Sequence, residues 1–238
     1  MPKSRIPYKR VLLKISGEAL HSNGHCLSPD IFSQVSKQVQ DLVLHDIEVG
    51  IVIGGGNIFR GVMGDALGLE RTSSDQMGML ATLINGIALA ESLKKIGIKA
   101  EVLSALVCSP VLETYSWQKA REYLGQKKVV IFVGGTGSPF FTTDTAAALR
   151  ASEIKADILL KATQVDGVYT KDPKKYPDAK RFDKISYTEV LAQKLDVMDA
   201  TSVALCMQSK IPILVFNLGT KAKLTDVLQN ETLSTRIG

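Results

Sequence analysis

Two lysines close short apolar runs where lysines are uncommon, Lys14 in KRVLLKIS and Lys161 in DILLK. An unpaired ammonium buried at the end of a strand is costly, so each needs an anion unless its stem carries the charge out to water. Glycine-rich stretches accompany them: Gly17 just after Lys14 and Ser16, GGGNIFRG at 54–61, and GGTGSPFFTTD at 134–144. Glycine permits backbone angles closed to other residues and lets a ligand approach the main chain. Arg60, inside the second stretch, carries a fork suited to phosphate. Two lysines, an arginine and amide-rich loops would repel one another around a neutral ligand, so the group fits a polyanion.

The elements that must hold these residues are clearest at 129–154. Val129 to Val133 is a short apolar, mostly β-branched run, as expected of a strand covered on both faces. Gly134, Gly135 and Gly137 interrupt it and Pro139 fixes the exit. Thr142, Thr143 and Asp144 are N-cap candidates before the Ala-rich run Thr145 to Leu149, which turns free amides and a positive helix end toward the loop. Strand, glycine loop and helix N-terminus together make an anion site, phosphate being the commonest such anion; a plain tight turn is the simpler alternative. The familiar phosphate motifs are absent. Val62 stands where a Walker loop needs lysine, and Phe140 stands where a dinucleotide loop needs its last glycine.

The 238 residues, 45% of them hydrophobic, suffice for a buried core. No apolar run reaches the ~18 residues of a membrane span, and no signal-peptide core precedes the first strand, so a cytoplasmic setting is expected. Cys26, Cys108 and Cys206 are far apart and form no C-x-x-C pair, which fits reduced thiols. His21, His25 and Cys26 make a poor zinc site, and no protein-held metal is expected. A net charge of +5, without a long basic run or basic-aromatic interleaving, gives little reason to expect nucleic acid.

In chain order, the pattern predicts a strand at 9–16 and a helix from Asp30 with Ile31, Val35, Val39, Leu42 and Val43 on one face. A strand at 49–53 follows, then a helix from Asp75 to Ile96 whose Met77, Leu80, Leu83, Ile84, Ile87 and Leu89 are expected in the core. Asp75 is either a helix-start residue or a carboxylate for two vicinal sugar hydroxyls. Next come a strand at 100–104, an edge strand before Pro110, a helix at 116–124 and a strand at 157–161. An exposed hairpin or lid is expected at 163–177, with Tyr169 placed to flank a base. Helices from Ser186 to Leu195, at 200–209 and at 224–229, and strands at 212–216 and 232–236, complete the chain. This alternation predicts a single three-layer αβα sandwich with a mainly parallel central sheet, its ligands at the carboxyl ends of the strands.

The set K-x-S-G at 14–17, GGGNIFRG at 54–61, TGSPFFTTD at 136–144, LLKATQVDGVY at 159–169, KDP at 171–173 and VMD at 197–199 resembles the amino-acid-kinase fold family across nearly the whole chain. GGGNIFRG and TGSPFFTTD resemble its bacterial uridylate branch in particular. The resemblance implies an acceptor-binding part at about 1–155 and an ATP-binding part at about 156–238. It implies transfer of the γ-phosphoryl of ATP to UMP in pyrimidine nucleotide synthesis, with Mg2+ carried by the nucleotide.

By the same resemblance, Lys14, Ile15, Ser16, Gly17, Gly56, Arg60, Thr163, Tyr169 and Asp172 hold ATP. Gly55, Asp75, Thr136, Gly137, Ser138, Pro139, Phe140, Phe141, Thr142 and Thr143 hold UMP. Lys14, Lys161, Asp144, Asp199 and Arg60 are the catalytic set. A homohexamer inhibited by UTP and activated by GTP is also implied; the loop His21 to Pro29 departs from the glycine-rich form linked to the GTP response.

The residues agree with that chemistry. An acceptor phosphate is already an anionic nucleophile, so no general base is needed and catalysis reduces to alignment and charge neutralisation. Other acceptors, such as a carboxylate or carbamate, and a non-catalytic nucleotide-binding module are the competing readings.

Overall fold

In β1 (Arg10–Ile15) every residue after Arg10 is buried, the mark of a strand covered on both faces. The computed structural model describes residues 6–22, 25–219 and 222–238; residues 23 and 24 of the loop His21 to Pro29, and the first five residues, lie outside them. After β1 come α1 (Pro29–Leu44), β2 (Glu48–Ile53), α2 (Gly61–Ala66), α3 (Arg71–Lys95), β3 (Ala100–Ser104), β4 (Glu113–Thr114), α4 (Trp117–Gly125), β5 (Val129–Val133), α5 (Thr143–Ile154) and β6 (Ile158–Thr163). The remainder is β7 (Val168–Tyr169), β8 (Arg181–Phe182), β9 (Lys184–Ile185), α6 (Tyr187–Ala192), α7 (Ala200–Ser209), β10 (Ile213–Asn217), α8 (Leu224–Gln229) and β11 (Ser234–Ile237).

Among the described residues the main sheet runs β4-β3-β5-β2-β1-β6-β10-β11-β9, parallel throughout except where β10 meets β11. Side chains alternate along each strand. Val11, Leu13 and Ile15 join the core shared with α1, α3 and α8, while Leu12 joins the core shared with α4, α5, α6 and α7. The chain is therefore an α/β protein of three layers, as expected. That alternation also sends Lys14 and Lys161, two residues beyond Leu12 and Leu159, to the α5 side.

Close approach on that side comes from small residues. Ala146, Ala147, Ala148 and Ala151 of α5 are fully buried against the sheet. The opposite helix, α3, comes equally near at Gly86, where an added Cβ would meet Val133 Cγ1 at 2.3 Å.

Several elements differ from expectation. Helix α3 begins at Arg71, four residues before Asp75, so Asp75 lies in its second turn and is not a helix-start residue. Leu83 and Leu89 are buried as expected, but Met77, Leu80, Ile84 and Ile87 are exposed, because α3 is apolar on two faces and only one meets the sheet. The edge strand falls after Pro110, at β4, since proline has no N–H for a ladder. The hairpin at 163–177 is wider than expected: β7 pairs with β8, beyond Pro177. Helix α6 stops at Ala192, short of Leu195, and α2 was not foreseen.

Candidate active site

Lys14 and Lys161 are register partners on β1 and β6 and both are buried. Between their ammonium groups lies Asp144, with Oδ1 2.8 Å from Lys14 Nζ and Oδ2 2.6 Å from Lys161 Nζ. Lys161 also donates to the Val197 carbonyl. Asp144 owes its place to the α5 N-terminus, where the Thr142 hydroxyl accepts from the amides of Asp144 and Thr145.

Burial pushes the Asp144 carboxyl up, but Lys14 and Lys161 together outweigh it and hold its pKa below the ordinary aspartate value. Burial drives the Lys161 pKa below the ordinary lysine value; Asp144 opposes this and Lys14 adds to it. Cys206, behind the site, has its thiol pushed up to about 12, first by burial and then by Asp144 and Asp199. It stays protonated and unreactive.

Asp199 ties the two halves of the site. It caps α7 by accepting from the Ser202 amide at 2.9 Å, and it accepts from the hydroxyls of Thr142 at 2.5 Å and Thr145 at 2.9 Å. The N-termini of α5 and α7 are thereby locked together beside Lys161.

Two cavities open here. The first, about 450 Å³, is lined by Gly55, Gly56, Asp75, Ser138, Phe141, Thr142 and Thr143, among others. The second, about 540 Å³, is lined by Lys14, Ser16, Lys161, Thr163, Tyr169 and Asp172, among others. Thr143, in the wall of the first, immediately precedes Asp144, which contacts both lysines of the second. Asp144 thus links a residue of one wall to two residues of the other.

Of the remaining residues carried over by resemblance, Ile15, Gly17, Arg60, Thr136, Gly137, Pro139 and Phe140 line neither cavity. Gly17 packs against the second glycine loop so tightly that a Cβ there would meet Gly56 N at 2.3 Å, so Gly56 touches both the first cavity and the Lys14 loop. Ile15 is fully buried. Arg60 is exposed, donates to the Gly56 carbonyl at 2.9 Å and lies 3.5 Å from Glu18. In the 134–141 loop, Gly134, Gly135 and Gly137 take positive φ, as does Phe140 at 72°. The Thr136 hydroxyl braces the loop through Ser138. The Tyr169 hydroxyl donates to Asp166 at 2.7 Å, which leaves its ring for the second cavity.

Arg71 was missed from the sequence. Its Nε lies 2.9 Å from both oxygens of Asp75, and Asp75 Oδ2 accepts the Phe140 amide at 2.7 Å, clasping the 134–141 loop to α3. The i, i+4 spacing of Arg71 and Asp75 was the available signal, and it is visible only if the helix starts before Asp75. Thr145, the second hydroxyl on Asp199, was missed too.

The arrangement suits phosphoryl transfer between two bound anions: paired ammoniums on a shared carboxylate, with amide-rich loops and a helix N-terminus around them. A profile of the amino acid kinase family matches residues 9–217. The chain is 56% identical over 211 residues to a uridylate kinase of Protochlamydia amoebophila (strain UWE25), covering 88% of this chain and 84% of the relative. It is 53% identical over 230 residues to a uridylate kinase of Magnetococcus marinus (strain ATCC BAA-1437 / JCM 17883 / MC-1), covering 96% and 95%. Among solved structures it is similar to a UMP kinase from Bacillus anthracis, with a TM-score of 0.94 at 36% identity over 98% of this chain and 96% of that one.

Proposed function

The chain belongs to the amino acid kinase family, and on that premise we propose that it phosphorylates UMP with ATP, giving UDP and ADP. The observation that carries this reading is one carboxylate between two buried lysines that line the second cavity, next in sequence to Thr143 in the wall of the first. UMP is assigned to the first cavity, within the part at about 1–155. There Asp75 takes the ribose hydroxyls, Gly55 approaches closely, and the 136–143 loop surrounds phosphate and uracil. ATP is assigned to the second, with its phosphates on Lys14, Ile15, Ser16 and Gly17 and its adenosine near Thr163, Tyr169 and Asp172. The part at about 156–238 supplies most of that wall. Gly56 and Arg60 are assigned to the ATP side of the transfer zone.

The UMP phosphate is the nucleophile and needs no deprotonation. Lys14 and Lys161 neutralise the charge that moves from one nucleotide to the other, and Asp144 and Asp199 hold the lysines and helix ends in place. Among the described residues no three His, Cys, Asp or Glu side chains gather as a metal site, and both Asp144 and Asp199 are already engaged by protein donors. This donor set fits Mg2+ carried by the phosphates of ATP. Bound with the nucleotide, it would supply further neutralisation of phosphate charge.

The setting proposed is cytoplasmic pyrimidine nucleotide synthesis; among the described residues no helix is long and apolar enough to cross a membrane. A homohexamer inhibited by UTP is proposed as well; activation by GTP is not proposed, because the loop His21 to Pro29 departs from the form linked to it. Self-association is supported by the exposed apolar stripe of Met77, Leu80, Ile84 and Ile87 on α3.

The test is ADP release with Mg-ATP and UMP, CMP, dTMP, AMP or N-acetylglutamate offered separately. Strong preference for UMP is expected. Turnover only with the carboxylate would overturn the acceptor, and nucleotide binding without turnover would overturn the enzyme.

A further inference from the structure

Asn85 is fully buried in the middle of α3, an amide where the neighbouring core is apolar. It faces Asn57, the residue that follows the three glycines of the second loop and is also buried. The two side chains bond reciprocally: Asn85 Nδ2 donates to Asn57 Oδ1 at 2.7 Å, and Asn57 Nδ2 donates to Asn85 Oδ1 at 3.0 Å. Each amide spends its second donation on main chain, Asn85 on the Gly54 carbonyl and Asn57 on the Cys26 carbonyl, both at 2.7 Å. Both donor pairs are thus engaged, which is how a buried amide escapes the cost of an unpaired donor.

We infer that the Asn57–Asn85 pair is a positioning device that fixes the 54–57 loop between the two nucleotides, an inference that rests on the phosphoryl-transfer reading. Neither residue lines a cavity wall or touches the lysines. Their bonds instead hold the loop on which both cavities depend. Gly55 and Gly56 line the first cavity, while a Cβ at Gly54 would meet Gly17 N at 2.6 Å, so the loop's main chain lies directly against the segment leaving Lys14. A shift of the Gly54 carbonyl therefore moves the acceptor wall relative to Lys14. Misalignment of reacting groups lowers turnover more than binding. Plain core filling would be served as well by leucine, of similar volume, without any polar group to satisfy.

The experiment compares wild type with Asn85→Leu, Asn57→Leu and the double variant. The readouts are kcat, KM for each nucleotide and Tm, with assays run well below the lowest Tm. Each single variant is expected to lose kcat by about tenfold to 100-fold, with KM for ATP and acceptor changed far less. The double variant should fall no further than the worse single one, because the two residues act as a unit. Normal kcat in folded single variants, whatever their Tm, would overturn the inference, as would losses that multiply in the double variant. If Asn85→Leu does not fold, Asn57→Ser on the loop carries the same prediction of a kcat loss. Ratios to wild type are taken with whichever acceptor wild type turns over. A wrong acceptor assignment then shows in the wild-type rates alone, and a wrong positioning role shows in the ratios alone.

Discussion

Lys14 and Lys161 stand side by side on parallel strands as register partners, and a single carboxylate, Asp144, lies within 2.8 Å of one ammonium and 2.6 Å of the other. Two ammoniums share this one carboxylate, and Asp199 adds a second negative charge near Lys161. In the phosphoryl transfer proposed above, both ammoniums serve the incoming phosphate while the shared carboxylate keeps both buried, so removing a lysine and removing the carboxylate are expected to have different consequences.

Lys14→Ala should therefore fold. Asp144 keeps Lys161 as a partner, so no charge is orphaned. The lost charge counts most in the transition state, and kcat should drop by about 10²–10³-fold, with UMP binding largely kept. Asp144→Ala is the contrast: it leaves two buried ammoniums facing each other and should cost about 3–5 kcal/mol of stability. Steady-state kinetics and denaturant melts separate the two cases. Near-normal turnover in Lys14→Ala would remove Lys14 from the mechanism.

The same trio sets the pH dependence. Asp144 has a folded pKa below its ordinary 3.8, so the stability it contributes is complete above that value and is lost as pH falls through the lower, folded one. Lys161 has a folded pKa below its ordinary 10.5, so its charge is lost on the alkaline side before pH 10.5. Turnover should then decline on that side, and Lys161→Arg, charged throughout, should move the decline upward if it retains activity. Rate profiles from pH 7 upward decide this; an alkaline limb unmoved by Lys161→Arg would assign it to another group.

Asp75 accepts the Phe140 amide and faces Arg71, and these two contacts carry different weight. Removing a charge-assisted bond of this kind loses about 1.5–3 kcal/mol, which corresponds to roughly tenfold to 150-fold in binding. Asp75→Ala should raise KM for UMP by that order and leave KM for ATP nearly unchanged. Arg71 is largely exposed, and its pair with Asp75 is worth little, so Arg71→Ala should have a far smaller effect. Equal losses in the two variants would mean that Asp75 acts only through Arg71.

What could be read from residue order was the part written in local pattern. The run Val129 to Val133, the glycines after it and the Thr142 cap each announce themselves, and β5 and α5 form there. The two lysines were legible because each breaks an apolar run. Their shared partner was legible only as a cap candidate, since the pairing of β1 with β6 joins segments far apart in sequence. The start of α3 was hidden because Glu70 makes no side-chain cap, and with it went the Arg71–Asp75 contact. Asn57 and Asn85 gave no signal at all, because their bonding exists only once α3 crosses the 54–57 loop.

Periodicity also misled at Met77, Leu80, Ile84 and Ile87, and that error carries a prediction. These residues recur at spacings of three or four along α3, which puts them on one face, and all four are exposed. A stripe of this kind is unfavourable in water and marks a surface that another molecule covers. If the cover is a second copy, a charge in its centre should be buried without a partner in the assembly yet harmless in the isolated chain. Leu80→Glu or Ile84→Glu should then shift the protein to smaller species in sedimentation or light scattering, while its far-UV circular dichroism stays native. Wild-type-sized species from both variants would mean that the stripe is not the contact between copies, and that the assembly, whatever its number, is built on another face.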